Sequence, residues 1–306
     1  MKDFIQPAPL KTPVLFLVFN RINVTKQVFE SIKKARPPKL YIASDGPRDG
    51  YENEAEKVRE IRDFIIINID WECEVKTLFR DNNLGCKLAV SGAITWFFEH
   101  EEQGIILEDD CLPSQSFFWF CEDLLNKYKY DKRIFQITGY NKQNKWQKSH
   151  ESYFFSMLGG IWGWASWSRA WDHYDIEMSD VNQFIENDHF ENLFGKNLGK
   201  QRQDMIYRNI IKNKMNTWDY QWAYARHKNS GMTCVPCNNL IENIGFGEDA
   251  THTIGVTEDN VQKQEIKFPL KSNNFIVADR VYDNLFMSRI SFFEKFLKKL
   301  KSILDK

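Results

Sequence analysis

Four short apolar runs alternate with amphipathic stretches across the first third of this 306-residue chain, and that alternation most restricts how it can fold. PVLFLVF (13–19), KLYIAS (39–44), EVKTLFR (74–80) and GIILE (104–108) read as strands. Between them, NVTKQVFESIKKA (23–35), ENEAEKVREIRDFII (52–66) and CKLAVSGAITWFFEH (86–100) carry apolar residues at helical spacing, with Asn23 a candidate cap for the first. Such repetition predicts an α/β fold: a mostly parallel central sheet flanked by helices, because each crossover lays its helix back on the sheet. Ligands of these sheets bind at the carboxyl ends of the strands. Three strand ends are polar here, Asn20-Arg21, Asp45-Gly46 and Glu108-Asp109-Asp110, and all three are expected on one rim.

Beyond Pro113 the pattern changes. SQSFFWFCEDLLNKY (114–128) reads as a helix, and RIFQITG (133–139), YFFSM (153–157) and MTCVPC (232–237) as strands. Between them lie a Gly- and Trp-rich segment (158–174), in which Trp164, Trp167 and Trp171 recur at helical spacing, and helical stretches around 181–194 and 200–213. No stretch has the composition of a linker. One domain is expected over 1–272, with a nucleotide-binding half (about 13–112) and an acceptor and catalytic half (about 113–272), followed by a tail (273–306).

Hydrophobic residues make up 42% and aromatic residues 15% of the chain, which is enough for a packed core rather than disorder. A net charge of −1 predicts no broad basic field, so no nucleic-acid partner is expected. The opening MKDFIQPAPLK lacks the apolar core of a secretion signal, and no run approaches the roughly 18 apolar residues of a membrane span. The six scattered cysteines are then expected as reduced thiols in a cytoplasmic protein. Cys234 and Cys237 have the spacing of half a zinc site, and no second pair completes it.

Adjacent carboxylates repel, so Glu108-Asp109-Asp110 needs either water around it or a cation. A solvated turn is one reading. The other follows from its place at the mouth of a buried strand: hard oxygen ligands there suit Mg²⁺ or Mn²⁺, bound together with substrate phosphates. The chain contains neither GxxxxGK[ST] nor GxGxxG, which favours a nucleotide-sugar held through metal and side chains over a dinucleotide cofactor. Asp219, between Trp218 and Tyr220, is a candidate general base, or simply the cap of a helix. Trp162 or Trp164 is expected to stack on a sugar, and the other tryptophans to pack. Gly163, with Gly159 and Gly160, either lets backbone approach a donor or makes a plain turn. His252, in GEDATHT, is a candidate metal or pyrophosphate contact, or a surface histidine.

The stretch ILEDDCLPSQSFFWFCEDLL resembles the GT-A glycosyltransferases, and more specifically the Golgi N-acetylglucosaminyltransferase I family and its bacterial nucleotide-diphospho-sugar transferase relatives. The resemblance runs over about 13–255, through PVLFLVFNR, YIASDG, the acidic triplet, GIWGWASWSRAWD, TWDYQWAYA and NIGFGEDATHT. It implies a GT-A fold, a UDP-linked donor and the following roles. Arg21 would approach the nucleotide and Asp45 the uridine. Glu108 and Asp109 would hold the sugar-nucleotide, and Asp110 the Mn²⁺ or Mg²⁺. Trp162, Gly163 and Trp164 would line the donor and acceptor pockets, and Asp219 would be the catalytic base. The family's paired acids become Asp219-Tyr220 here, so Asp219 takes that role across a one-residue offset; Asp172, Asp175 and Asp204 are the fallback candidates.

SRISFFEKFLKKLKSILDK (288–306) places Ile290, Phe293, Phe296, Leu297, Leu300, Ile303 and Leu304 on one helical face, with lysines and an arginine elsewhere. A basic amphipathic helix of this kind suits an anionic membrane surface; docking on the domain itself, or a dimer contact, would also bury the apolar face. The expectation is an inverting, metal-dependent glycosyltransferase, peripheral to the inner face of the membrane, acting on a glycan or lipid-linked acceptor in surface polysaccharide biosynthesis. A nucleotidyltransferase of related fold and a non-catalytic membrane-associated sugar-binding adaptor are the alternatives.

Overall fold

The computed structural model describes residues 4–146, 150–245 and 261–287. The first half alternates as the periodicity predicts: β1 (Val14–Val18), α1 (Ile22–Ala35), β2 (Lys39–Ser44), α2 (Glu54–Asn68), β3 (Glu74–Phe79), α3 (Gly85–His100) and β4 (Gln103–Glu108). Every residue of β1 is buried, as expected for a central strand covered on both faces. Helix α1 buries Thr25, Val28, Phe29, Ile32 and Ala35, one stripe at helical spacing. It begins at Ile22 with Arg21 in the cap position and no side-chain cap bond, so Asn23 lies inside the helix.

The second half adds β5 (Cys111–Pro113), α4 (Gln115–Lys127), β6 (Ile134–Thr138), β7 (Tyr153–Ser156), β8 (Trp164–Trp167), α5 (Ser168–Trp171), α6 (Val181–Glu186), α7 (His189–Phe194) and α8 (Lys196–Ile206). A π-helical stretch (Tyr207–Lys212), α9 (Asp219–Lys228), β9 (Met232–Pro236) and β10 (Ile241–Asn243) follow. The main sheet has eight strands in the order β3-β2-β1-β4-β8-β6-β9-β7. β1, β2, β3 and β4 are parallel, β8 is antiparallel to both β4 and β6, and β7 is antiparallel to β9. The architecture is a mostly parallel sheet flanked by helices, with β8 running against its neighbours at the centre.

The Gly-Trp segment therefore departs from its helical spacing. Trp164 and Trp167 belong to strand β8, and only Trp171 reaches the short helix α5. β8 sits between β4 and β6 and its residues are fully buried, so long-range pairing decides its conformation. Trp164 has no exposed surface and stacks on Trp218, with ring centroids 5.7 Å apart, and packs against Trp171 and Trp222. This aromatic block ties the sheet to α9. The Trp164 indole N–H finds no acceptor among the described residues, and the ring contributes through packing. Trp164→Ala is expected to cost about 3–5 kcal/mol, read as a lower denaturant midpoint at unchanged slope.

Order in the main sheet reverses between β1 and β4. β2 and β3 continue to one side of β1, whereas β4 opens the other. The carboxyl ends of β1 and β4 thus face a topological switch point, where open α/β sheets leave a crevice. Arg21 follows β1, and Asp109 and Asp110 follow β4.

Residues 276–287, assigned to the tail by sequence, pack on the domain. Ala278 bridges to Phe155 of edge strand β7, and the Asp279 N–H donates to the Phe155 carbonyl at 2.7 Å. The stretch 280–287 is helical and buries Tyr282, Asp283 and Met287. The amphipathic segment 288–306 lies outside the described residues.

Candidate active site

A cavity of about 690 Å³ opens at this switch point. Its walls come from the ends of β1, β2 and β4, the first turns of α3, Ile161 and Trp162 before β8, and the segment Met215–Tyr220 leading into α9. Glu108, Asp109 and Asp110 line one side and Asp219 another, with Arg21, Asp45 and Trp162 on the same cavity. Seven residues singled out by sequence are thereby brought together from five separate segments.

Burial sets the chemistry of the acids. Glu108 Oε1 and Asp109 Oδ2 are enclosed and accept no hydrogen bond from the described residues. Burial, then the charges of Asp110, Asp109 and Asp219, push the Glu108 carboxyl up to about 8. Burial also pushes Asp109 up to about 6, against the pull of Arg21. Arg21 ion-pairs with Asp109 and, at 2.9 Å, with Asp110 Oδ2. One guanidinium thus bridges two of the three acids. Gly245 makes this closeness possible: a Cβ there would stand 2.3 Å from Asp110 Oδ2 and 2.8 Å from Arg21 Nη1.

The raised Glu108 carboxyl has a consequence for stability. Between its ordinary value of 4.5 and about 8, the folded protein keeps a proton that the unfolded chain releases, so stability falls as pH rises through that window. Glu108→Gln removes this linkage. With chelator present, the melting temperature of wild type is expected to drop relative to the Gln variant as pH climbs from about 4.5 to about 8. Parallel melting curves across that range would contradict the assignment.

The fit of a metal ion follows from the donor set. Among the described residues no group of three His, Cys, Asp or Glu side chains could hold an ion by itself. One or two hard carboxylates with unmet lone pairs fit the ions that keep water and take phosphate oxygens, Mg²⁺ and Mn²⁺. Asp110, beside the orphaned oxygens of Glu108 and Asp109, meets that description. His252 lies outside the described residues.

Asp219 is the first residue of α9, is half-buried, and accepts the Thr217 hydroxyl. The cap position falls to Trp218, with no side-chain cap bond, so Asp219 is not a cap but a first-turn residue that faces the cavity. Asp172, Asp175 and Asp204 do not line the cavity. Trp162 is partly buried against Tyr140, at 4.6 Å between centroids, and leaves part of its ring on the cavity wall. Trp164 and Gly163 do not line it. Trp164 is buried in the aromatic block, and Gly163, at φ +55°, packs where a Cβ would meet Ile241 and Leu107, so each serves packing rather than donor contact. Asp45 accepts the N–H groups of Gly46, Leu84 and Gly85 at 3.0 Å, fastening the end of β2 to the start of α3.

Two cations of the site are absent from the sequence reading. Arg48 lines the cavity while paired to Glu54. Arg80, just after β3, also lines it, and its guanidinium makes no hydrogen bond or ion pair among the described residues. It was discoverable as a fourth polar strand end, beside Asp81-Asn82-Asn83. Cys86 faces the cavity too, but burial, with Glu108, Asp219 and Asp45 adding, pushes its thiol up to about 12, the opposite of the lowered value of an activated nucleophile.

No protein-family model matches the sequence, and no curated protein matches it. Solved structures with similarity include three enzymes. One is a mannosyltransferase from Pyrobaculum calidifontis in complex with GDP-Man and Mn²⁺, 9% identical over 54% of this chain and 47% of that one, with a TM-score of 0.34. This chain thus spans about half the length of that enzyme. Another is the galactosyltransferase LgtC in complex with donor and acceptor sugar analogues, 12% identical over 78% of this chain and 91% of that one, TM-score 0.34. The third is a UDP-glucose pyrophosphorylase, 10% identical over 76% and 93% respectively, TM-score 0.37.

Proposed function

We propose that this chain is an inverting, divalent-metal-dependent glycosyltransferase that takes a sugar from a nucleotide-sugar, UDP-linked, to a hydroxyl of a glycan or lipid-linked acceptor. One observation carries the reading: buried carboxylates at the switch point and a separate carboxylate, Asp219, share a single cavity. A nucleotidyltransferase would need a glycine-rich loop after the first strand. Here Phe19-Asn20-Arg21 alone joins β1 to α1.

Asp110, with Glu108 and Asp109 beside it, would hold Mn²⁺ or Mg²⁺. The ion, when bound, neutralises charge on the nucleoside diphosphate leaving group. The chain's own residues do the rest. Arg80 and Arg21 supply positive charge to the nucleotide end of the cavity. Trp162 offers a ring face to a sugar. Asp219 takes the proton of the acceptor hydroxyl as its oxygen bonds to the anomeric carbon. The bond from that carbon to the diphosphate oxygen breaks with its electron pair on the diphosphate. Attack opposite the leaving group inverts the anomeric centre.

Calorimetry of UDP with Mn²⁺, and again with chelator, tests the donor half. Binding only in the presence of metal is expected; equal binding in chelator would remove the metal from the reading. A screen of nucleotide-sugars for hydrolysis and thermal stabilisation identifies the donor. The anomeric configuration of the product, read by NMR, tests inversion.

A further inference from the structure

We infer that Arg21 is a displaceable counter-ion. Its guanidinium holds the cation position at Asp110 until a nucleoside diphosphate draws it away, so metal and nucleotide enter the cavity together. This role rests on the metal reading of Asp110 and adds a binding order to it. Arg21 Nη2 donates to Asp109 Oδ1 and, at 2.9 Å, to Asp110 Oδ2, so one nitrogen serves both acids. The other Asp110 oxygen, Oδ1, accepts the Cys111 thiol at 3.4 Å. Both oxygens of Asp110 are therefore engaged, whereas Glu108 Oε1 and Asp109 Oδ2 accept no hydrogen bond from the described residues. A metal ion that takes Asp110 Oδ2 has to replace the guanidinium there.

Space and charge make the two cations exclusive. The chain at Asn243–Gly245 closes over the ion pair: the Ile244 N–H donates to the Asp110 carbonyl, and the Gly245 N–H to the Asn243 side chain, both at 2.8 Å. A Cβ on Gly245 would stand 2.3 Å from Asp110 Oδ2 and 2.8 Å from Arg21 Nη1, so backbone lies directly against both groups. A divalent ion beside the guanidinium would also meet its positive charge, and burial strengthens that repulsion. Arg21 keeps its charge, because a guanidinium does not release its proton in a protein, so it leaves these acids only for another anion. A diphosphate supplies one. Its oxygens match two N–H groups of the guanidinium fork, a better geometry than two acids on one nitrogen. The Arg21 backbone stays in place, its carbonyl held by the N–H and hydroxyl of Thr25 at 3.1 and 2.7 Å, and only the side chain has to turn within the cavity it already lines. Asp110 is then open to the ion. By linkage, metal and nucleotide each raise the affinity for the other.

The test measures Mn²⁺ binding to the full chain without nucleotide, by electron paramagnetic resonance, and needs no sugar transfer. Arg21→Gln is expected to bind Mn²⁺ at least about tenfold more tightly than wild type. Arg21→Lys keeps a cation at the acids and is expected to bind it as weakly as wild type. Arg21→Gln binding Mn²⁺ no more tightly than wild type would overturn the inference, and Arg21→Lys binding it as tightly as Arg21→Gln would overturn competition by charge. Wild type that shows no metal-dependent binding of UDP by calorimetry would overturn the metal reading itself, a result separate from the other two. A measurement on wild type stands even if Arg21→Gln does not fold. The NMR signal of the Arg21 Nε–H, assigned by its loss in Arg21→Lys, is expected to shift when UDP and Mg²⁺ are added together. A signal that stays in place would leave the guanidinium on its acids and overturn the displacement.

Discussion

Asp219→Asn is expected to lower sugar transfer by about 10²–10⁴-fold, the usual contribution of a general base, with metal-dependent UDP binding unchanged. Asn is the informative replacement. It retains an oxygen to accept the Thr217 hydroxyl and nearly the same volume. A loss confined to kcat therefore reports the missing base rather than a frayed α9. If Asp219 only steadied the start of the helix through Thr217, Asn would transfer sugar at the wild-type rate, and the assignment would fall.

Asp110→Asn should act on both binding and turnover. Asp110 stands at the switch point with Glu108 and Asp109, and the substitution removes one charge at nearly constant volume, so Gly245 can still pack against it. The metal-dependent part of UDP binding, read by calorimetry, is expected to disappear. Transfer should fall by at least about 10²–10³-fold, the scale of losing one preorganised electrostatic stabiliser. Arg21 keeps its pair with Asp109, so the variant is expected to fold. Wild-type metal dependence in the Asn variant would move the ion to other ligands. The two variants separate the roles: one leaves donor binding intact and the other does not.

Much of the fold was legible because it is written in local periodicity. The runs at 13–19, 39–44, 74–80 and 104–108 became β1 to β4, and three polar strand ends met on one cavity as topology required. Asp219 was legible as both helix opener and cavity residue. Less legible were features that depend on distant partners. Trp164, Trp167 and Trp171 keep a helical spacing, yet β4 and β6 on either side draw the first two into a strand. Trp162 and Trp164 looked equivalent in sequence; Trp162 stands ahead of β8 on the cavity wall, whereas Trp164 lies inside β8 and is buried. Arg80 hid inside an apparently ordinary strand end. Residues 276–287 fall in the tail by sequence, and contacts with distant elements, the bridge from Ala278 to β7 among them, tie them to the domain.

The sequence by itself determined the alternation of elements, the parallel half of the sheet and the acidic end of its fourth strand. Each depends on residues within a few positions of one another, where spacing and burial act directly. Tertiary structure alone decided that Arg21 would sit between Asp109 and Asp110, 89 residues from the latter, and that Glu108 would be enclosed with an oxygen unmet. It also set Asp219 on the same cavity as the triplet. Proximity of charges and loss of water are properties of packing, and packing is absent from any local window of sequence.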